Sequence, residues 1–118
     1  MDSEEMKRRT KAFGVRVLAL ADVLPPKPGC RAIAGQISRC ASSVGANYRA
    51  ACRGKSRADF IAKLKICEEE ADETCYWLEV IMEAGYFPAG RLGSLQKEAD
   101  EICAILTAAC KTLHFPDK

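Results

Sequence analysis

The sequence predicts an all-α fold, an antiparallel bundle of four helices that run up, down, up and down. Three groups of helix-breaking residues, at 25–29 (PPKPG), 54–56 and 85–88, divide the 118 residues into four segments. Apolar residues recur every three or four positions in each segment, which is helical spacing rather than the alternation of a strand. Short connections make each helix antiparallel to the next, and the length suits one domain covering residues 1–118.

The first two helices are predicted at about 3–24 and 30–53. Asp2 and Glu5 have the spacing of a capping pair at the start of the first helix, and the PPKPG run ends it. The apolar stripe of this helix consists of Phe13, Val17, Leu20 and Leu24. The stripe of the second helix consists of Ile33, Ile37, Cys40, Val44, Tyr48 and Ala51. Gly35 and Gly45 cost this helix about 1 kcal/mol each, which predicts that another backbone approaches closely there.

The third and fourth helices follow the same rules. Ser56 and Asp59 predict the N-terminal cap of the third helix, and Gly85 predicts its end. Pro88 suits the first turn of the fourth helix, and Pro116 closes that helix. The stripe of the third helix consists of Phe60, Leu64, Cys67, Ala71, Thr74 or Cys75, Leu78 and Met82. The stripe of the fourth helix consists of Leu92, Leu95, Ala99, Ile102, Leu106, Ala109 and Leu113.

The net charge of +2 conceals a strong asymmetry between the two halves of the chain. Residues 1–65 hold fourteen basic and five acidic residues, whereas residues 66–118 hold four basic and eleven acidic ones. Such a division can mark a surface for nucleic acid or for an acidic partner. Alternatively, the two halves neutralise each other where the helices pack.

No segment of the sequence resembles a targeting signal or a membrane span. The start, MDSEEMKRRTK, is charged and contains no apolar run. No stretch approaches the ~18 apolar residues that a membrane helix needs. We therefore expect a cytoplasmic protein without a membrane partner.

The second helix carries a polar stripe at helical spacing, formed by Gln36, Arg39, Ser43 and Asn47. We interpret it as a polar seam between helices or between subunits, hydrogen-bonded to acids of the third helix. These acids are Glu69, Glu70 and Glu73. A face that recognises a ligand or a partner is the alternative interpretation. Trp77, on the same helix as the acids, is expected in the core or at a subunit contact.

A basic run at the junction of the second and third helices is the candidate site for nucleic acid or another partner. It contains Arg49, Arg53, Lys55 and Arg57, and Lys63 follows one to two turns later. Contact with phosphate groups is physically sensible here, and a solvated charged corner is the alternative. Tyr48 is the one aromatic residue beside the run, so the sequence gives little support for stacking on single-stranded bases.

Nothing in the sequence indicates catalysis, a cofactor, a metal site or a small-molecule substrate. The seven cysteines include no CxxC pair and the single histidine is His114, so the spacing of a zinc site is absent. The acidic run at 68–73 lacks the Glu-x-x-His pairs of a di-iron bundle. No nucleophile stands beside a His–carboxylate pair, and no glycine-rich phosphate loop occurs. We expect free thiols packed in the core of a non-enzymatic protein.

Three linked stretches of the chain carry a resemblance to one family. They are SSVGAN at 42–47, RxKSxADFIxKL at 53–64 and EADETxYWLE at 70–79. Over nearly its whole length the chain resembles the four helix bundle protein family, also called the 23S ribosomal RNA intervening-sequence protein family. Cys40, Cys52 and Cys75 depart from the family pattern, in which other small or polar residues are usual at these positions.

The resemblance implies a bundle of four antiparallel helices that assembles as a ring-like homopentamer and has no enzymatic activity. It also implies a link to nucleic acid, because some members are encoded within insertions in ribosomal RNA genes. A related bundle is the accessory protein of diversity-generating retroelements, which partners a reverse transcriptase. Our first hypothesis is therefore a non-catalytic, oligomeric binding or scaffold protein that contacts RNA or a nucleoprotein. The alternative is a purely structural protein–protein assembly module with no nucleic-acid role.

Overall fold

The computed structural model describes residues 2–114, with side chains described up to Thr112. This part of the chain forms the helices α1 (Ser3–Asp22), α2 (Pro28–Cys52), α3 (Arg57–Glu83) and α4 (Ala89–His114), and it contains no strand. The predicted breaks overlap the three connections, so the all-α class and the number of helices are confirmed. The first break is displaced, because α1 ends at Asp22 and α2 begins at Pro28, each two residues earlier than predicted. Pro116 and the side chain of Leu113, which the sequence assigned to the end of α4, lie outside the described residues.

The predicted capping residues form the helix ends. Oδ1 of Asp2 accepts a hydrogen bond from the backbone N–H of Glu5 over 2.8 Å, and Oγ of Ser56 accepts one from Asp59 over 3.1 Å. Gly85 adopts a positive φ of 72° after α3, where the N–H of the next residue donates to the carbonyl of Ile81 over 3.1 Å. This is the glycine-dependent helix end that the sequence predicts at this position.

The four helices lie at the corners of a square, in the order in which they follow one another in the chain. Within the described residues, α2 packs against α1 and α3, and α4 packs against α3 and, less closely, against α1. Neighbours are antiparallel, since Arg9 of α1 meets Glu98 of α4, whereas Arg16, later in α1, meets Ser94, earlier in α4. The bundle measures 51 × 22 × 20 Å. The outer side formed by α1 and α2 therefore lies opposite the side formed by α3 and α4.

The apolar stripes converge on one core along the axis of the bundle. The following members are at most 2% exposed: Phe13, Val17, Ile37, Val44, Leu64, Leu78, Ile102 and Leu106. In α3 and α4 the burial is shifted by one residue at one place each, because Ile81 and Cys110 are buried while Met82 and Ala109, which the spacing selected, are half-buried. With 3.6 residues per turn, two consecutive residues can lie at equal angles from the centre of an apolar stripe, so the spacing does not tell which of them is buried. The rotation of each helix against its neighbours decides which one faces the core.

α1 and α2 approach each other most closely at two glycines. A Cβ atom on Gly45 would lie 3.3 Å from the carbonyl oxygen of Thr10, and one on Gly14 would lie 3.5 Å from that of Ala41. The predicted close approach of a second backbone is thus confirmed at Gly45. It is wrong at Gly35, which lies on the exposed side of α2 with no described atom within 4 Å of an added Cβ.

Large apolar side chains also reach the surface. The most exposed ones are Val15, Leu18, Val23, Ile66 and Tyr76. Val15 and Leu18 are three residues apart and share one side of α1. Across residues 2–114, none of the helices combines the length and the apolar character needed to cross a bilayer.

Candidate functional site

The predicted polar seam joins α2 to α3 through one arginine. Nη1 of Arg39 donates to Oε2 of Glu70 over 2.9 Å, and Nη2 donates to the two carboxylate oxygens of Glu73 over 2.8 and 2.7 Å. Glu69, the third acid expected in the seam, is exposed and makes no hydrogen bond there. The seam thus connects the basic half of the chain to the acidic half at one point.

Trp77 reinforces this seam. Its indole Nε1 donates to Oε2 of Glu73 over 3.0 Å, while the half-buried ring packs against the core. The hydrogen bonds from Trp77 and Arg39 lower the pKa of Glu73 below its ordinary value. The carboxylate therefore stays ionised, and Trp77 serves the junction between helices in this subunit.

The other members of the polar stripe do not reach α3. Nδ2 of Asn47 donates to Oγ and to the carbonyl oxygen of Ser43 over 2.7 and 3.0 Å, both within α2. Gln36 is exposed and makes no hydrogen bond with another described residue. The connection between α2 and α3 is formed by Arg39, Glu70, Glu73 and Trp77. The other polar residues of the α2 stripe, Gln36, Ser43 and Asn47, lie beside it.

The basic corner at the junction of α2 and α3 exposes most of its cations to solvent. Arg49, Arg53 and Lys55 are exposed, and none of them forms an ion pair with a described residue. Lys63 differs, because its Nζ lies 2.9 Å from Oδ1 of Asp59 on the same helix. Arg57 is exposed at the first position of α3. The structure thus brings the predicted residues to one end of the bundle, with Lys63 partly neutralised.

Tyr48, beside this corner, points inward. Its side chain is half-buried against the core, and burial raises its pKa to about 12. The ring is therefore not presented for base stacking, and the corner offers charge alone.

A groove between α1 and α2 extends the positive surface along the bundle. This basic groove has a volume of about 500 Å³ and lies where Gly14 and Gly45 bring the two helices together. Its charged lining consists of Glu4, Lys7, Arg8, Lys11 and Arg49. Glu4 and Lys7 pair with each other over 2.6 Å, and the other three cations form no ion pair with a described residue.

Sequence reasoning missed the basic groove. A signal existed, since Arg8, Lys11 and Val15 recur at spacings of three and four, on the side of α1 away from its apolar stripe. The groove itself depends on how closely α1 and α2 approach, which no pattern within one helix determines.

A second groove lies on the opposite side of the bundle, between α3 and α4. This acidic groove has a volume of about 460 Å³, and its charged lining consists of Asp72, Glu79, Asp100 and Lys111. None of these four forms an ion pair with a described residue. Small residues, including Ala104 and Ala108, make up much of the remaining surface.

Arg9 connects α1 to α4, a contact that the sequence did not predict. Its Nε and Nη2 each donate to Glu98 over 2.7 Å, and Nη2 also donates to Oε1 of Glu101 over 2.7 Å. The hydrogen bonds lower the pKa of Glu98 and raise that of Arg9. No sequence signal exists for this cluster, because its members lie about ninety positions apart and no local spacing relates them.

Five of the seven thiols are held in surroundings that disfavour the nucleophilic thiolate. All seven cysteines are free. Burial raises the pKa of Cys67 to about 12 and that of Cys110 to about 11, and it also raises the pKa of Cys40, Cys75 and Cys103. Protonated thiols are poor nucleophiles at neutral pH. Among the side chains described, no three His, Cys, Asp or Glu residues are grouped to hold a metal ion.

Comparison with known proteins identifies the fold and the family. A crystal structure of a protein of unknown function from the S23 ribosomal protein family of Bacteroides thetaiotaomicron VPI-5482 has the same fold, with a TM-score of 0.85 and 35% sequence identity. The match covers 94% of this chain and 99% of that one. No curated protein matches the chain. The family model described as 23S rRNA-intervening sequence protein matches residues 3–108, and the chain therefore belongs to this family.

Proposed function

We propose that this protein is a non-catalytic, homo-oligomeric binding module whose basic corner contacts the phosphates of RNA, free or within a nucleoprotein such as a reverse transcriptase complex. The observation that carries the proposal is the cluster of Arg49, Arg53 and Lys55, exposed at one end of the bundle without a described carboxylate partner. Cations in this state bind phosphates with the release of counterions from the nucleic acid.

The chemistry of the corner defines the kind of contact. The corner supplies charge, whereas Tyr48 is held against the core and gives no stacking surface. Contacts to phosphate position a protein on nucleic acid without selecting a base sequence. In a homo-oligomer, for which the family resemblance suggests five subunits, the corner would recur on every subunit and raise the avidity without new contacts.

The absence of catalysis belongs to the proposal and is supported by the thiol chemistry. Protonated, buried thiols such as Cys67 are suited to packing rather than to nucleophilic attack. Seven free thiols also suit the reducing cytoplasm, where we place the protein.

A protein–protein assembly module with no nucleic-acid role is the second candidate. It is favoured by Val15 and Leu18, which are 61% and 42% exposed beside the basic groove. Apolar side chains gain little from a phosphate backbone and more from burial against another protein.

The test is a titration of RNA at several salt concentrations with wild type, with R53Q/K55Q and with the control K27Q/R31Q. Each variant removes one lysine from a connection and one arginine at or directly beyond an end of α2. The residues of the control lie at the opposite end of the bundle. We expect R53Q/K55Q to weaken binding and to reduce the slope of log affinity against log salt by about 1 for each lost phosphate contact. The control should behave as wild type.

Three results would contradict the RNA contact at this corner. The first two are wild-type binding that does not depend on salt and no binding at all. The third is an equal loss of affinity in the control, which would indicate a general effect of net charge. Light scattering on the same samples checks that the mass of the assembly is unchanged. An assembly that forms and ignores RNA would support the second candidate.

A further inference from the structure

The two grooves are similar in size and opposite in charge. Three cations that line the basic groove form no ion pair with a described residue, namely Arg8, Lys11 and Arg49. The acidic groove, on the far side of the bundle, contains three carboxylates without a described cation partner, Asp72, Glu79 and Asp100. One subunit thus carries two complementary surfaces that cannot reach each other.

The ion pairs between the two halves of the chain lie along the other two sides of the square. Arg39 neutralises acids at the junction of α2 and α3, and Arg9 does so at the junction of α1 and α4. These pairs hold neighbouring helices together and include none of the six unpaired groove charges named above.

Apolar side chains accompany the charges and point to a protein partner. Val15 and Leu18 line the basic groove and are exposed. On the opposite side, Tyr76 is 56% exposed and lies one turn from both Asp72 and Glu79. Its ring is backed edge-to-face by Trp77, with 5.0 Å between the ring centroids. An aromatic side chain supported in this way is a typical anchor of a protein interface.

We propose that the basic groove of one subunit binds the acidic groove of a second copy of this chain, with Tyr76 as the apolar anchor against Val15 and Leu18. Charge complementarity and the exposed apolar residues select this partner over a polyanion, which would leave the apolar residues without a contact. The inference rests on the homo-oligomer of the proposed function and specifies the surfaces that build it.

The contact is heterologous, because it joins two different surfaces. Each subunit then binds one neighbour with its α1/α2 side and another with its α3/α4 side, and the assembly closes into a ring if the rotation between subunits permits. Arg49 lines the basic groove and would be covered by this interface, so in the assembly the RNA contact of the basic corner rests on Arg53 and Lys55. Arg53 and Lys55 lie outside the groove lining and stay available to RNA.

Charge reversal tests the pairing directly. The variant R8E/K11E makes the basic groove acidic, and D72K/E79K makes the acidic groove basic. All four side chains are exposed, so the fold should persist, which circular dichroism and thermal melting would verify. We expect either variant alone to raise the concentration for half-association by at least about tenfold, because like charges then face each other. The quadruple variant, with both grooves reversed, should regain the wild-type mass in light scattering.

The control is K27E/R31E, which changes the charge as much as R8E/K11E but outside both grooves, and it should assemble as wild type. An oligomer that both groove variants leave intact would overturn the pairing and leave the proposed RNA contact untouched. The same holds if each variant disrupts assembly and the quadruple variant does not restore it. A monomeric wild type at micromolar concentration would instead remove the homo-oligomer on which the pairing rests.

Discussion

The α1/α2 side and the α3/α4 side of the bundle are built alike and charged oppositely. Each presents a shallow groove with small residues, such as Gly14 and Gly45 on one side and Ala104 and Ala108 on the other. Their charged groups remain apart, although the two halves of the chain do meet in ion pairs at the other two junctions. The comparison teaches that packing four helices pairs charges at two junctions, whereas charges on the opposite sides, such as Arg8 and Asp72, form no ion pair with a described residue.

The largest expected effect comes from Gly45, because it sets the geometry of the basic side. A side chain beyond Cβ would collide with the α1 backbone near Thr10, 3.3 Å away. We expect Gly45→Val to reduce the free energy of unfolding by about 1–3 kcal/mol, measured by urea denaturation. Gly35→Ala is the control, with open space at its Cβ, and it should stabilise α2 by up to about 1 kcal/mol. Equal effects at the two glycines would contradict the close approach.

The ion pairs of Arg9 and Arg39 differ in burial, which predicts that losing them destabilises the protein to different extents. The side chain of Arg9 is 21% exposed and that of Arg39 is 51% exposed. Arg9 also supports the junction where the helices pack least closely. We expect Arg9→Met to cost at least about 1 kcal/mol in the free energy of unfolding. Arg39→Met should cost less, because water screens its exposed ion pairs. The reverse order in denaturation experiments would show that α1 is held by other contacts.

Acid should weaken both junctions. The pKa values of Glu73 and Glu98 are lowered in the folded state from an ordinary value of 4.5. A group with a lowered folded-state pKa contributes stability that is complete above its unfolded-state pKa and is lost as the pH falls through the folded-state pKa. The free energy of unfolding should therefore stay level down to about pH 5 and decline below about pH 4.5. Arg9→Met should make the free energy of unfolding fall less steeply with acid. A fall of unchanged size would show that Glu98 does not contribute to it.

The sequence predicted the helices and not the grooves, for a physical reason. Caps such as Ser56 and breakers such as Gly85 act within a few residues, so local patterns place the helix ends. The contact of Arg39 with the acidic residues of α3 could be predicted from the sequence, because polar stripes on consecutive antiparallel helices face each other. Arg9 and the basic groove depend on the rotation and the spacing of whole helices, which the spacing of residues within one helix does not encode.

The smallest expected effect concerns the thiols on the acidic side. Cys75 and Cys103 line the acidic groove, and burial is the main cause of their raised pKa values, with the nearby carboxylates Asp100 and Asp72 adding to it. We expect slow reaction with a thiol reagent in the native state and seven reactive thiols, without stoichiometric metal, after denaturation. D72K/E79K should accelerate the native reaction modestly. No acceleration would mean that burial alone protects these thiols, and fewer than seven thiols would indicate a disulfide or a bound metal.

The most direct test of the account is the mass of the wild-type protein by light scattering at micromolar concentration, in low and in high salt. If the two sides pair between copies, the mass in low salt is a multiple of the 12.9 kDa subunit, and the family resemblance suggests five. High salt should shift the assembly toward smaller species, because it screens the charges that join the grooves. A mass of 12.9 kDa under both conditions would contradict the pairing of the two sides.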